Sequence, residues 1–132
     1  MFGKRDDKQG VGQIETLLGA GTVIDGNVRF SGGLRIDGEV KGNVVAVENS
    51  HSLLVLSEQS RVEGDVEVGH VVCNGTVVGR VFAANLLELQ SKARVVGDVT
   101  YGAIEMQQGA VIEGRLELST TKVKEQTPEV SA

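Results

Sequence analysis

Asp25, Asp37, Glu63 and Glu113 each stand immediately before a glycine. Acids repeated along one face of a chain are the equipment of polysaccharide cleavage, in which two carboxyls several ångströms apart divide the acid and base roles. Valines take the same place at Val78 and Val96, before Gly79 and Gly97, and a solvated outer face accounts for the whole set. His51 and His70 lie far apart with no further ligand at a metal-binding spacing, and both are expected in surface turns. Cys73 shares parity with Val71, Gly75 and Val77, so it is expected to point inward as a small apolar filler. The stretch "SGGLRID" (31–37) lacks the glycine and aspartate spacing of a calcium-binding nonapeptide roll. These residues point to no catalytic site, no metal site and no cofactor.

Composition narrows the rest. A chain of 132 residues with 3% aromatics has to build a single core from small aliphatics. Eighteen glycines against one proline are too many for helices and lack the three-residue period of collagen. A formal charge of -5 disfavours nucleic acid, which requires a clustered basic surface. One cysteine makes no internal disulfide, in keeping with a reducing compartment. The start, "MFGKRDDKQG", holds no apolar run long enough for a signal peptide, and 18 consecutive apolar residues occur nowhere. A cytoplasmic location is the expectation.

The elements that must carry these residues are short strands. Six phrases align on a central glycine: "TVIDGNVRF" (22–30), "LRIDGEVKG" (34–42), "SRVEGDVEV" (60–68), "GTVVGRVFA" (75–83), "ARVVGDVTY" (93–101) and "AVIEGRLEL" (110–118). An aliphatic residue lies two before and two after each glycine, as with Val62 and Val66 or Ile112 and Leu116, and a period of two is the signature of a strand. The glycine shares their parity, which predicts an inward-facing corner where a side chain would not fit. Taking Gly26, Gly42, Gly64, Gly79, Gly97 and Gly114 as equivalent corners, the intervals are 16, 22, 15, 18 and 17 residues, with an insertion at 48–52 inside the longest. A unit of about 17 residues is too short for a βαβ unit or a propeller blade and suits one turn of a three-faced β-solenoid. The expected fold is all-β: a parallel β-helix of about six turns over residues 14–118, with disordered tails at 1–13 and 119–132. Gly38 belongs to a neighbouring face of the turn that holds Gly42. The stretches 53–60, 86–93 and 103–110 supply another face.

Outward positions test the register. The residues after the corner glycines read Asn27, Asn43, Asp65, Arg80, Asp98 and Arg115. The last four alternate in sign, so stacked turns set opposite charges side by side, tuning register by a few tenths of a kcal/mol per exposed pair. No polar or helical cap is visible at either end, and an uncapped solenoid exposes strand edges and core. The aliphatics at the ends, Leu17 and Leu18 at one and Ile112, Leu116 and Leu118 at the other, are therefore candidate residues for a contact with a second copy. The competing arrangement is a terminal segment folded over one end.

The order of distinct phrases, "IDG", "VEGDV", "VVCNGTVVGRV", "LLELQSKARVVGDV" and "IEMQQGAVIEG", resembles the bactofilins, a family of bacterial cytoskeletal proteins, over residues 14–118. The resemblance implies a right-handed parallel β-helix, a hand that periodicity alone leaves open. It also implies end-to-end polymerisation without nucleotide into membrane-associated filaments that scaffold cell-shape proteins and cell-wall hydrolases or synthases. Many members carry an aromatic in the last turn, where Ile112 stands here. "MFGK" resembles the membrane-targeting start of several members: Met1 and Phe2 would insert at the inner face of the cytoplasmic membrane while Lys4 and Arg5 meet anionic lipid. An ordinary disordered start is the competing reading, because Asp6 and Asp7 offset the basic charge. From a different class, a β-helix enzyme such as a hexapeptide-type acyltransferase would need strict six-residue phrasing and a catalytic histidine between subunits. This chain shows neither.

Overall fold

The computed structural model describes residues 13–48 and 50–119, and over them the chain winds as a parallel β-solenoid of six turns without a helix. Each turn has three strands, on faces named here opening, middle and closing. The first two turns are β1 (Thr16–Leu18), β2 (Val23–Asp25) and β3 (Val28–Phe30), then β4 (Gly33–Ile36), β5 (Glu39–Lys41) and β6 (Val44–Ala46). The third comprises β7 (Leu53–Leu56), β8 (Arg61–Glu63) and the start of β9 (Val66–Cys73). The rest of β9, β10 (Thr76–Val78) and the start of β11 (Val81–Leu89) make the fourth. The fifth continues along β11 into β12 (Arg94–Val96) and β13 (Val99–Tyr101), and the sixth holds β14 (Ile104–Met106), β15 (Val111–Glu113) and β16 (Leu116–Leu118). The middle face is a six-stranded sheet of its own. Because β9 and β11 run unbroken round a corner, the other two faces join in one ten-stranded sheet.

Alternation decides what lies inside. On the middle face Ile24, Val40, Val62, Val77, Val95 and Ile112 stack in register as one inward column. The opening face contributes Leu18, Ile36, Leu56, Cys73, Leu89 and Met106 in the same way. On the closing face large residues meet small ones, Phe30 against Ala46 and Tyr101 against Ala83, the alternation by which stacked layers interdigitate.

The corner between middle and closing faces is the glycine column expected from the phrases, but its physical reason differs. A Cβ added at Gly42, Gly64, Gly79, Gly97 or Gly114 would land on the carbonyl of the corner glycine one turn earlier. The excluded space thus lies along the axis, between stacked turns, rather than in the interior.

Uneven intervals have two sources. Between β6 and β7 the chain inserts residues 47–52, anchored where the buried Ser52 hydroxyl accepts the Gly69 N–H at 2.9 Å. At the corner between opening and middle faces, turns 1, 3, 5 and 6 use four-residue bends, closed by N–H to O bonds from Thr22 to Gly19, Ser60 to Ser57, Ala93 to Gln90 and Ala110 to Gln107. Turns 2 and 4 cut the same corner with Asp37-Gly38 and Asn74-Gly75.

Candidate functional site

The residues that could do chemistry are spread over separate corners and faces of the coil. Asp25, Glu63 and Glu113 fall in one outer column of the middle face, shared with Lys41, Val78 and Val96, whereas Asp37 lies at a different corner. Arg35 donates to Asp37 at 2.9 Å, Arg61 to Glu63 at 2.8 Å and Arg94 to Glu113 at 2.6 Å. The arginine partners of Asp37 and Glu63 hold both carboxyls below the usual carboxylate range, the reverse of what a general acid needs. Cys73 is inward as expected, 1% exposed, with burial pushing its thiol up to about 11. Such a thiol is inert near neutral pH.

The histidines split. His51 is exposed in the insertion, beside Ser50 at 3.2 Å and 3.8 Å from the Glu48 carboxylate. His70 is not in a turn as the sequence suggested: it lies within β9, half-buried, its Nε2 2.9 Å from Glu88 Oε2 one turn on. The unbroken passage of β9 round the corner hides the turn that Gly69 appeared to announce. Among the described residues no group of three or more histidine, cysteine or acidic side chains could hold a metal ion.

The register column after the corner glycines is present, and it acts mainly through the backbone. Asn27 Oδ1 accepts the Asn43 N–H, Asn43 Oδ1 accepts the Asp65 N–H, and Asp98 Oδ1 accepts the Arg115 N–H, at 2.9, 2.9 and 3.0 Å. Asp65 accepts the Arg80 N–H at 3.1 Å and meets its guanidinium at 3.0 Å. Those two bonds, backbone first, hold the Asp65 carboxyl below its ordinary range.

What is left is the two ends. Among the described residues, strands β1, β2 and β3 each pair on one side only, with the second turn, and β14, β15 and β16 only with the fifth. Leu116 and Leu118 continue the inward column above Val99 and Tyr101, yet each is 50% exposed, and among the described residues no further turn covers it. Ile112 continues above Val95 and is half-buried. At the opposite end Leu18 stands in the inward column beside Ile36, while Leu17 belongs to the outer column beside Arg35. Sequence parity therefore separates these two neighbours: Leu18 is an end-core residue and Leu17 an outer-face one. Val23, Met106 and Val111 add to the exposed aliphatics of the terminal turns, and the sequence reading had not singled them out, although their columns could have been read from the phrase alignment. Met1, Phe2, Lys4 and Arg5 lie outside the described residues, as does the segment from 120 onward.

A stack of near-identical turns with open ends is the architecture of a unit that adds to itself. A family profile, Bactofilin, described as polymer-forming cytoskeletal, matches residues 16–117. The chain belongs to the bactofilin family. It is 32% identical to Thermus thermophilus bactofilin in a cryo-EM reconstruction of double helical filaments, with a TM-score of 0.72 over 80% of this chain and all of that one. A crystal structure of a mutant bactofilin from the same organism gives 33% identity and a TM-score of 0.64, over 72% of this chain and all of that one. No curated protein sequence matches significantly. Bactofilins are structural cytoskeletal polymers rather than a family of enzymes. No helix among the described residues is long and apolar enough to cross a membrane.

Proposed function

We propose that this chain assembles end to end, without nucleotide, into filaments that scaffold cell-wall hydrolases or synthases and cell-shape proteins at the inner face of the cytoplasmic membrane. The observation that carries the reading is that, among the described residues, both end turns pair on one side only. A docked copy would extend all three faces, its backbone groups completing the hydrogen-bond ladders and its aliphatics covering Ile112, Leu116 and Leu118 at one end or Leu18 at the other. Covering each half-exposed leucine contributes about 1 kcal/mol before ordering costs. The filaments of the Thermus relative support the reading.

Electron microscopy of purified protein free of nucleotide tests it. Filaments are expected; lone particles at high concentration across salts and pH would overturn it. In the same assay Ile112→Arg is expected to keep the wild-type circular dichroism spectrum and lose assembly. Unchanged filaments would remove Ile112 from the contact.

Membrane attachment rests on Met1, Phe2, Lys4 and Arg5. Two apolar side chains and two cations are a weak anchor singly, and a filament multiplies them. Deleting residues 1–5 is expected to reduce co-sedimentation with anionic liposomes at least about tenfold, and undiminished binding would sink the anchor.

A further inference from the structure

The edge where opening and middle faces meet is toothed, with four-residue bends in turns 1, 3, 5 and 6 and short corners at Asp37-Gly38 and Asn74-Gly75. The two short corners differ in one respect: turn 2 holds an acid and turn 4 its amide. Asn74-Gly75 is also the one Asn-Gly pair in the sequence. In any asparagine the side-chain carbon lies within ring-closing reach of the next backbone nitrogen, and three features of this corner favour attack. The nitrogen is free. Asn74 N–H donates to the Leu56 carbonyl at 2.8 Å and Thr76 N–H to that of Ser60 at 3.2 Å, whereas the Gly75 N–H between them makes no hydrogen bond among the described residues. The carbon is polarised, because Asn74 Oδ1 accepts the Lys92 N–H at 2.8 Å and a donor thus already faces the oxygen on which negative charge develops. Water is at hand: Asn74 is half-buried on the wall of a notch of about 400 Å³, shared with Arg35, Glu58 and Gln90.

Asn27 and Asn43 are the comparison that the chain itself supplies. Each has its Oδ1 held by an N–H in the same way. The nitrogens that follow them are committed, Val28 N–H to the Asn43 carbonyl at 2.8 Å and Val44 N–H to that of Asp65 at 2.9 Å. A nitrogen that must first give up a ladder bond, and that belongs to a β-branched residue, is the poorer nucleophile.

We infer that Asn74 is a self-modification site, losing ammonia and becoming aspartate within the folded coil. The Gly75 nitrogen gives its proton to hydroxide and attacks Asn74 Cγ, closing a ring. The bond from Cγ to the amide nitrogen breaks, and ammonia leaves with a proton taken from water. Water from the notch then adds to Cγ, the bond from Cγ to the Gly75 nitrogen breaks, that nitrogen regains a proton, and a carboxylate remains. Opening at the backbone carbon instead would give isoaspartate and lengthen the main chain by one atom. The corner opposes this, because even a Cβ at Gly75 would strike Ser60 Oγ and the Ser57 carbonyl. An ordinary aspartate fits, as Asp37 shows at the equivalent corner of turn 2. Each conversion adds one negative charge to the notch and does not reverse, so it marks the age of a subunit. It does not depend on end-to-end assembly.

The test is peptide mapping of the full chain after incubation in heavy-oxygen water at mildly alkaline pH. Label is expected in a new carboxylate at position 74, appearing at least about tenfold faster than at Asn27 or Asn43, with aspartate exceeding isoaspartate. Asn74→Asp is expected to keep the wild-type circular dichroism spectrum. In urea the preference for Asn74 over Asn43 is expected to shrink at least about threefold, because unfolding frees the Val44 N–H. No label at position 74 in the folded chain, isoaspartate in excess, or an Asn74→Asp chain that does not fold would overturn the inference. A preference unchanged by unfolding would overturn it too, since glycine alone would then select the site.

Discussion

The end turns and the middle turns are built from the same columns of residues and differ only in what lies beside them. Val99 is 0% exposed and Leu116, next in its column, is 50% exposed. Leu89 is 1% exposed and Met106, stacked on it, 46%. Hydropathy does not separate the members of either pair; position does. In an ordinary domain an apolar residue is buried by a core that closes on itself, whereas here burial is conferred by the next turn, so the core is complete only where a neighbour exists. The lesson is that an end turn is an interior awaiting a neighbour.

The glycine column offers the strongest way to break that comparison. At Gly64 an added Cβ would run into the backbone of Gly42, and the stacked turns would have to part. At Gly26, in the first turn, nothing lies within 4 Å, and only its positive φ of 135° opposes a side chain. Gly64→Ala is expected to destabilise by about 3 kcal/mol or more and Gly26→Ala by about 1 kcal/mol. Denaturant unfolding in an assembly-blocked background would measure both. Equal costs would show that the column is set by backbone conformation and not by stacking.

The next largest effect uses the stacked pair of the opening face. Leu89→Ala empties a covered site and is expected to cost about 3 kcal/mol of folding stability. Met106→Ala removes atoms that are half in water already and is expected to cost about 1 kcal/mol or less. For assembly the order reverses: Met106→Ala should raise the critical concentration for filaments, and Leu89→Ala should leave it unchanged at equal folded fraction. If the two substitutions cost the same in the isolated chain, the last turn is covered after all.

Much of this was legible in the sequence because a solenoid writes its fold locally. The phrase around each glycine fixed strand parity, and parity fixed the inward columns from Ile24 to Ile112 without any long-range information. Stacking each phrase on the next then gave the pairing Asn27, Asn43, Asp65 before any distance was known. Three things escaped. The passage of β9 through Gly69 as an unbroken strand was hidden, because glycine ordinarily signals a break, and so His70 was misplaced. The obstruction at the corner glycines lay along the axis, a direction invisible to a two-face alternation. The toothed edge was present only as unequal intervals, which look like loop noise until the bends are seen to fall on one corner. The end-contact residues were legible as aliphatics, but Leu17 and Leu18 read alike until register set them on opposite sides of the strand.

The smallest effect compares two members of the outward column, Asn43 and Asp65. Both accept the N–H of the next residue in the column, at 2.9 and 3.1 Å, and only Asp65 adds an ion pair, with Arg80. The Asp65 carboxyl is held below the ordinary aspartate range, chiefly by the Arg80 N–H and then by its side chain. A depressed folded value means that the stabilisation is fully present above the ordinary carboxylate range and is lost as pH falls through the folded value, below about 4. With the Asp65 side chain 44% exposed, solvent screening limits the contribution to a few tenths of a kcal/mol. Asp65→Asn keeps the acceptor and removes the charge, so it is expected to lose that small amount at pH 7 and to converge with the wild type below pH 4. Asp65→Ala removes the acceptor as well and is expected to lose about 1 kcal/mol, with only the ion-pair share fading in acid. Denaturant midpoints for the three chains at pH 7 and pH 3 separate these outcomes. If Asp65→Asn behaves as Asp65→Ala at both pH values, the aspartate holds its place by charge and shape together, and the backbone ladder running through Asn43 does not extend past it.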